Sequence, residues 1–401
     1  MVTVSDQKNL LYYFLMVFFF LTSISVGIGI YELIPLYRIL GETYHLSENK
    51  TIYLGSAFSL GYAIGFLLFG WLSKFFEKKK LLLFGLFMLA LCTAFAGFSF
   101  NYFYMLCARI FQGVSAGSFA PLSFAIILKI FPENKRAAAN ATVTTGFVMA
   151  SIIGQLFSSF ITSLYNWSAV FWIQAGLYLT TLLFLSLLVP TSKDELDMKQ
   201  ANQSNYFVEL LKLLINPALL PCYLITLSLL FSFVSFYTVM SQFFLDRFSF
   251  TETNIIWLRS IGIIGMIAAI WFSSPRIIHK WGPLKLLKTG LAISSAGALL
   301  MAFSPTVIFA GVMSTLFVFG ITLILPMMVS LVGTQAGQQG GTAVTLYTIV
   351  LFIGATLGPI LVNFVMKQTH CYWLPFIIIS LLLCISFTLT FSIKMKGERQ
   401  A

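Results

Sequence analysis

Twelve long apolar runs, separated by short polar or basic breaks, make up most of the 401-residue chain. They lie near 10–37, 51–73, 80–99, 102–131, 138–163 and 169–190, and then near 217–245, 254–278, 284–304, 306–330, 342–366 and 371–394. A hydrocarbon core of about 30 Å needs roughly 20 helical residues at ~1.5 Å each, so every run predicts a membrane-spanning helix. The longest interruption is the polar stretch TSKDELDMKQANQSNYFVELLKLLIN at 191–216. The predicted organisation is therefore an all-α membrane protein with a six-helix bundle over 1–190, a cytoplasmic linker over 191–216 and a second six-helix bundle over 217–401. Only Lys8 precedes the first run closely and no small-residue cleavage site follows it, so it is expected to stay as the first helix.

The breaks set an orientation. With twelve crossings, 18 of the 24 Lys and Arg residues fall in alternate segments, among them Lys74, Lys78, Lys79, Lys80, Lys129, Lys135 and Arg136. Arg38, Lys50, Arg247 and Lys367 fall on the other side. Such a bias places both termini in the cytoplasm. The remaining two, Arg109 and Arg259, lie inside runs.

Composition agrees with the runs: 59% of residues are hydrophobic and only 9% are charged, which excludes a soluble globular domain. The net charge of +11 reports topology rather than nucleic-acid binding, because the basic residues cluster between apolar runs. Five cysteines stand singly in apolar stretches and are expected to be small packing residues, with neither a disulfide framework nor a zinc site. His45, His279 and His370 fall in breaks, so no metal site or catalytic triad is expected, and no phosphate-binding loop is present. The stretch Gly113–Gly117 matches G-x-S-x-G, but a nucleophile elbow needs a strand-to-helix turn and distant partners. No cofactor is expected; without a nucleotide site, an ion gradient or simple facilitated diffusion remains.

In the fourth run, RIFQGVSAG from Arg109 to Gly117 reads R-x-x-Q-G-x-x-x-G and includes Gln112 and Gly113. This resembles the fourth-helix motif of proton-coupled transporters of the major facilitator superfamily, the drug-proton antiporter branch in particular. The family's G-x-L-x-D-R-x-G-R-K loop stands here as GWLSKFFEKKK from Gly70 to Lys80, with Lys74 at the aspartate position and Glu77 at the second glycine. Glu77 is left to supply a substitute charge. The second-half copy, PRIIHKWG from Pro275, lacks the acid and keeps the closing Gly282. The antiporter motif of helix five is reduced to Gly146 and Gly154, while Gly354, Gly358 and Pro359 form a cleaner fragment in the eleventh run. Glycines four apart allow close helix approach and proline bends a helix, which suits a rocking interface between halves or, equally, ordinary packing.

Of the 13 acidic residues, only Glu32 lies within a run. An intramembrane carboxylate is expensive and functional by default. An acid shortly before Pro35 also resembles the first-helix motif of multidrug antiporters. Arg109, about 10 Å from the outer end of its helix at ~1.5 Å per residue, is the natural counterpart. The resemblance implies that Glu32 carries a proton and Arg109 tunes it; a site near the outer headgroups for Glu32, or a carbonyl clamp for Arg109, is the structural alternative. Arg259 is expected to snorkel to the outer interface. Gln112, Asn140, Gln155, Gln174, Gln242 and Asn363 either line a cavity or bridge helices. Tyr237 and Met240 sit in the aromatic seventh run, whose phenylalanines face either lipid or a substrate for which apolar walls with few polar groups are suited.

The resemblance implies a secondary transporter working by alternating access, with a substrate site near the midplane between its halves. Proton-coupled efflux of a small amphipathic compound, such as a drug or siderophore-like metabolite, is the expected activity; nutrient uptake by proton symport on the same fold is the alternative. The expected partners are the lipid bilayer and a small-molecule substrate, with no nucleic acid, and the chain is expected to work as a monomer in a bacterial cytoplasmic membrane.

Overall fold

The computed structural model describes residues 4–190, 205–248, 252–273 and 275–393, and all regular structure among them is helical. Contacts divide the chain into two compact units, Met1–Gln203 and Ser204–Ala401. The first contains α1 (Val4–Tyr31), a 3-10 turn at Ile34–Leu36, α2 (Tyr37–Thr43), α3 (Glu48–Leu72), α4 (Lys78–Gly97), α5 (Tyr102–Ala116), α6 (Phe119–Ile130), α7 (Glu133–Leu164) and α8 (Trp167–Leu188). The second contains α9 (Asn205–Leu214), α10 (Leu220–Phe248), α11 (Glu252–Phe272), α12 (Pro275–Trp281), α13 (Pro283–Ala302), α14 (Val307–Ala336), α15 (Gly340–Thr369) and α16 (Leu374–Leu389). Of the polar stretch read as a linker, 191–204 lies outside the described residues.

Among the described residues eleven helical stretches are long and apolar enough to cross a membrane, and α11 adds a shorter apolar stretch, Leu258–Phe272. Mid-helix side chains such as Leu179 and Ile264 are exposed, as a bilayer-facing surface requires. Both units repeat one pairing scheme. α1 packs on α7, α3 on α5 and α4 on α8; correspondingly α10 packs on α15, α11 on α14 and α13 on α16.

The expected runs differ from the helices in three places, the fourth run being divided at Gly117 and Ser118 into α5 and α6. The first run is not one helix: α1 stops at Tyr31, and Glu32 stands in the break. Pro35 lacks the N–H that would bond to the Tyr31 carbonyl and its ring crowds that oxygen, so the α-helical ladder cannot continue. The eighth run ends early, at Phe272, because Pro275 starts the separate helix α12. After α12, Gly282 takes φ +75°, a left-handed conformation that glycine adopts at little cost, and turns the chain into α13.

The motif glycines join helices within each unit. A Cβ at Gly113 or Gly117 would strike the α3 backbone, at Phe58 O and Tyr62 O respectively. One at Gly146 would lie 2.7 Å from Phe20 O, and one at Gly154 would lie 3.1 Å from Ile28 O, both on α1. In the second unit, Gly354 and Gly358 press on Leu227 and Phe231 of α10, and Pro359 follows within α15. Of the two readings of these glycines, the described contacts are those of close helix packing inside a bundle. Among the cysteines only Cys222 is buried; Cys384 is exposed, with its Sγ 3.0 Å from Ser295 Oγ.

Candidate functional site

The break in α1 builds a site. The last carbonyls of a helix have no intrahelical donor and form the negative end of its dipole, so they attract a cation. Arg109 supplies it from α5. Its Nη2 donates to Gly29 O at 2.7 Å, its Nη1 to Glu32 Oε1 at 2.7 Å and to Gln112 Oε1 at 2.7 Å. Its Nε donates to Leu54 O of α3 at 3.5 Å, and Gln112 Nε2 reaches Glu32 Oε1 at 3.5 Å. Glu32, Arg109 and Gln112 are all fully buried. Since removing one partner of such a pair leaves an uncompensated charge in a low-dielectric interior, each holds the other in place.

The remaining carboxylate oxygen, Glu32 Oε2, is buried and accepts no hydrogen bond. An ionised carboxylate ordinarily spreads several acceptor sites over both oxygens, so Oε2 is the open position for a proton or a donor group. Beneath the guanidinium, the Phe58 ring centroid lies 4.5 Å from Arg109 Cζ, a cation–π contact. Gly29 permits this arrangement, because a Cβ there would come within 3.1 Å of the Phe58 ring and 3.3 Å of the Tyr178 hydroxyl.

Sequence reading paired Glu32 with Arg109 but missed Gly29, Leu54 and Phe58. The signal for Gly29 was available in Pro35, which frees carbonyls one turn and more upstream. Nothing in the sequence marks Phe58 among 42 phenylalanines.

Other predicted residues lie apart from this cluster or play a bridging part. Gln174 of α8 donates to Ser25 O of α1 at 2.5 Å, and Gln155 donates to Ser151 O within its own helix at 2.7 Å. The amide oxygens of Asn140, Gln155 and Gln242 are buried without a hydrogen-bond partner, which keeps a polar lining role open to them. Asn363 is buried on α15. Gly70 O accepts from Ser73 Oγ at the end of α3; Lys74 lies in the turn that follows, and Glu77 pairs with Lys80 at 3.0 Å where α4 begins. Lys80 is exposed and Glu77 largely buried, and a carboxylate there suits the helix N-terminus.

In the second unit Arg259 does not snorkel outward. It is 2% exposed and its guanidinium donates to Ser241 Oγ of α10. Tyr237 and Met240 are fully buried, and Met240 Sδ lies 3.8 Å from Ser314 Oγ of α14. The aromatic stripe of α10 faces the bundle core: Phe236 stacks on Phe317 at 4.0 Å between centroids and meets Phe376 edge-on at 5.2 Å.

The buried acid–arginine pair stands at a helix break inside a bundle whose helix pairing is repeated, and the sequence comparison decides the family. The profile of the Major Facilitator Superfamily matches residues 14–359. The chain belongs to this superfamily. The "Uncharacterized MFS-type transporter YceJ" of Bacillus subtilis is 24% identical over 386 residues, covering 96% of this chain and 97% of that protein. "Multidrug resistance protein 2" of the same organism is 24% identical and covers 94% of each chain. Among solved structures, the human organic anion transporter MFSD10 (TETRAN) superposes with a TM-score of 0.74 at 19% identity, covering 94% of this chain and 98% of that one, which shows a shared fold. The protein is thus a multi-pass facilitator-type transporter of the membrane, with lipid and a small-molecule substrate as its partners.

Proposed function

We propose that the protein exports a small amphipathic organic compound in exchange for protons, with Glu32 as the proton carrier. The buried Glu32–Arg109–Gln112 cluster with its open Oε2 carries this reading. The proton affinity of a buried carboxylate depends on the guanidinium beside it and on the water that reaches it. A conformational cycle that opens and closes a water path to Glu32 therefore changes whether it holds a proton, and that change is what coupling requires. Arg109 keeps its charge throughout. Efflux rather than uptake is supported by the multidrug-resistance relatives; the degenerate helix-five motif, which lacks its proline, favours the second reading of nutrient symport.

The substrate contacts are assigned to Gln112, Asn140, Gln155, Gln174, Tyr237, Met240, Gln242, Arg259 and Asn363, which combine buried amides with an aromatic and thioether wall. The basic-residue bias supports cytoplasmic termini, and the bacterial relatives support a bacterial cytoplasmic membrane. No cofactor enters the scheme, and a single chain suffices for it.

The test compares small molecules in cells and medium for cells overproducing the wild type, Glu32→Gln or no transporter. A compound depleted from cells and enriched outside only with wild type supports proton-linked export. Enrichment inside cells overturns export in favour of symport. Undiminished uphill movement by Glu32→Gln on a pH gradient alone overturns the role of Glu32.

A further inference from the structure

Helix α9 is too short to cross a membrane: ten residues at ~1.5 Å reach about 15 Å, half of a ~30 Å core. Its sequence, NYFVELLKLL, is nevertheless apolar on two opposite faces. One face meets protein. Leu210 and Leu213 are buried, and beside Leu213, on the flank shared with Lys212, Glu209 Oε1 accepts from Thr342 Oγ1 at 3.3 Å. Thr342 opens the membrane span of α15, Thr342–Thr369. The span of α10 starts just after α9, at Leu220, following a turn in which the Ala218 N–H donates to Asn216 Oδ1 at 3.0 Å. These two spans run parallel, since Gly354 meets Leu227 and Gly358 meets Phe231, so their first residues lie on one side of the membrane. α9 is fixed at that level.

The other face is unpartnered. At 3.6 residues per turn, Val208, Leu211 and Ile215 fall within about 60° of one another, roughly opposite Leu210 and Leu213. Leu211 is 61% exposed and Ile215 is 75% exposed, and the Ile215 N–H bonds to Leu211 O at 3.2 Å, continuing the turn. A helix facing water on that side would carry polar residues there. The exposed face instead continues toward Leu220 and Leu224, the exposed residues on the first turns of α10. Only the flank carrying Lys212 is charged.

We infer that α9 is an interfacial helix, its outer face of Val208, Leu211 and Ile215 lying at the acyl–headgroup boundary of the leaflet in which α10 and α15 begin. Lys212 then sits at the level of the lipid phosphates, and the second unit is held to the bilayer at the point where the polar stretch before it ends.

The test places a nitroxide at Leu211→Cys, Ile215→Cys or Lys212→Cys, in a background with the five native cysteines replaced. The full chain is held in nanodiscs of phosphatidylcholine with a minority of phosphatidylglycerol. The oxygen-to-nickel-chelate collision ratio at Leu211 and Ile215 is expected to exceed that at Lys212, the contrast between acyl-level and headgroup-level sites. A ratio equal to that of a label at the exposed Lys80 overturns the inference, as does a label shielded from both reagents, which would mean that protein covers this face. A companion measurement needs no substitution: photoactivation of a phospholipid with a diazirine near the top of its acyl chain should label wild-type 205–215. Labelling of 220–224 without 205–215 overturns the inference.

Discussion

Among the described residues each unit buries an arginine against the first spanning helix of its bundle, and the partners described for the two differ in kind. Arg109 reaches from α5 to a carboxylate at a broken helix end; Arg259 reaches from α11 to the hydroxyl of Ser241 on an unbroken α10. A carboxylate exchanges a proton in the accessible pH range, whereas a serine hydroxyl does not. Around Arg259 the neighbouring core is aromatic, with Phe236, Phe317 and Phe376 in mutual contact. On the proposed mechanism the first unit therefore senses the proton, and the second contributes shape and apolar surface to substrate recognition. The helix pairings are shared, so the difference comes from a few side chains on one repeated scaffold.

The strongest way to break this contrast is Arg109→Ala. It should destabilise the protein by about 3–5 kcal/mol, because Glu32 would be left buried without its counter-charge. Thermal unfolding in detergent reads that loss, and adding Glu32→Gln should restore a large part of it. Full recovery of Arg109→Ala stability without the second change would show that the pair is not held as described.

Gly117→Ala and Gly358→Ala should each cost about 1–3 kcal/mol, since both place a methyl against backbone of the facing helix. Similar losses in the two units would support the shared scaffold. Gly176→Ala on α8, where a Cβ meets nothing within 4 Å, should instead gain about 0.4–1 kcal/mol.

Phe58→Leu tests the ring beneath Arg109 and should lose about 1–2 kcal/mol beyond the packing change, measured as the coupling in a double-mutant cycle with Arg109→Met. The smallest expected effect concerns pH. Arg259→Gln should lower transport without moving the pH midpoint of its rate, whereas Glu32→Gln should flatten that profile. A displaced midpoint for Arg259→Gln would place a proton-sensing function in the second unit and remove the contrast.

The spanning helices were legible because a bilayer demands apolar length, and the pairing of Glu32 with Arg109 because charges in such segments need partners. Their setting was less so. Pro35 predicts a bend, but only packing decides that the freed carbonyl of Gly29 meets a guanidinium. Arg259 was misread for the complementary reason: its distance along the helix from the outer end gives depth and leaves rotation unspecified, and rotation turns it to Ser241. The same gap hid Phe58 and left the motif glycines open between two kinds of interface, since spacing shows that a close approach occurs without showing which helix approaches.

The ion pair joins residues 77 positions apart, and this separation bears on how the protein is made. Glu32 emerges with the first spanning segment, while Arg109 arrives only with the fourth. An unpartnered charge at the centre of a membrane helix costs about 2.5–3.5 kcal/mol to insert. Until α5 is in place, the first segment therefore carries a penalty that its apolar residues alone must offset. Closure of the pair then ties α1 to α5 before α7 and α8, the last helices of the amino-terminal bundle, have been made, so the order of synthesis and the order of stabilisation are linked through one carboxylate.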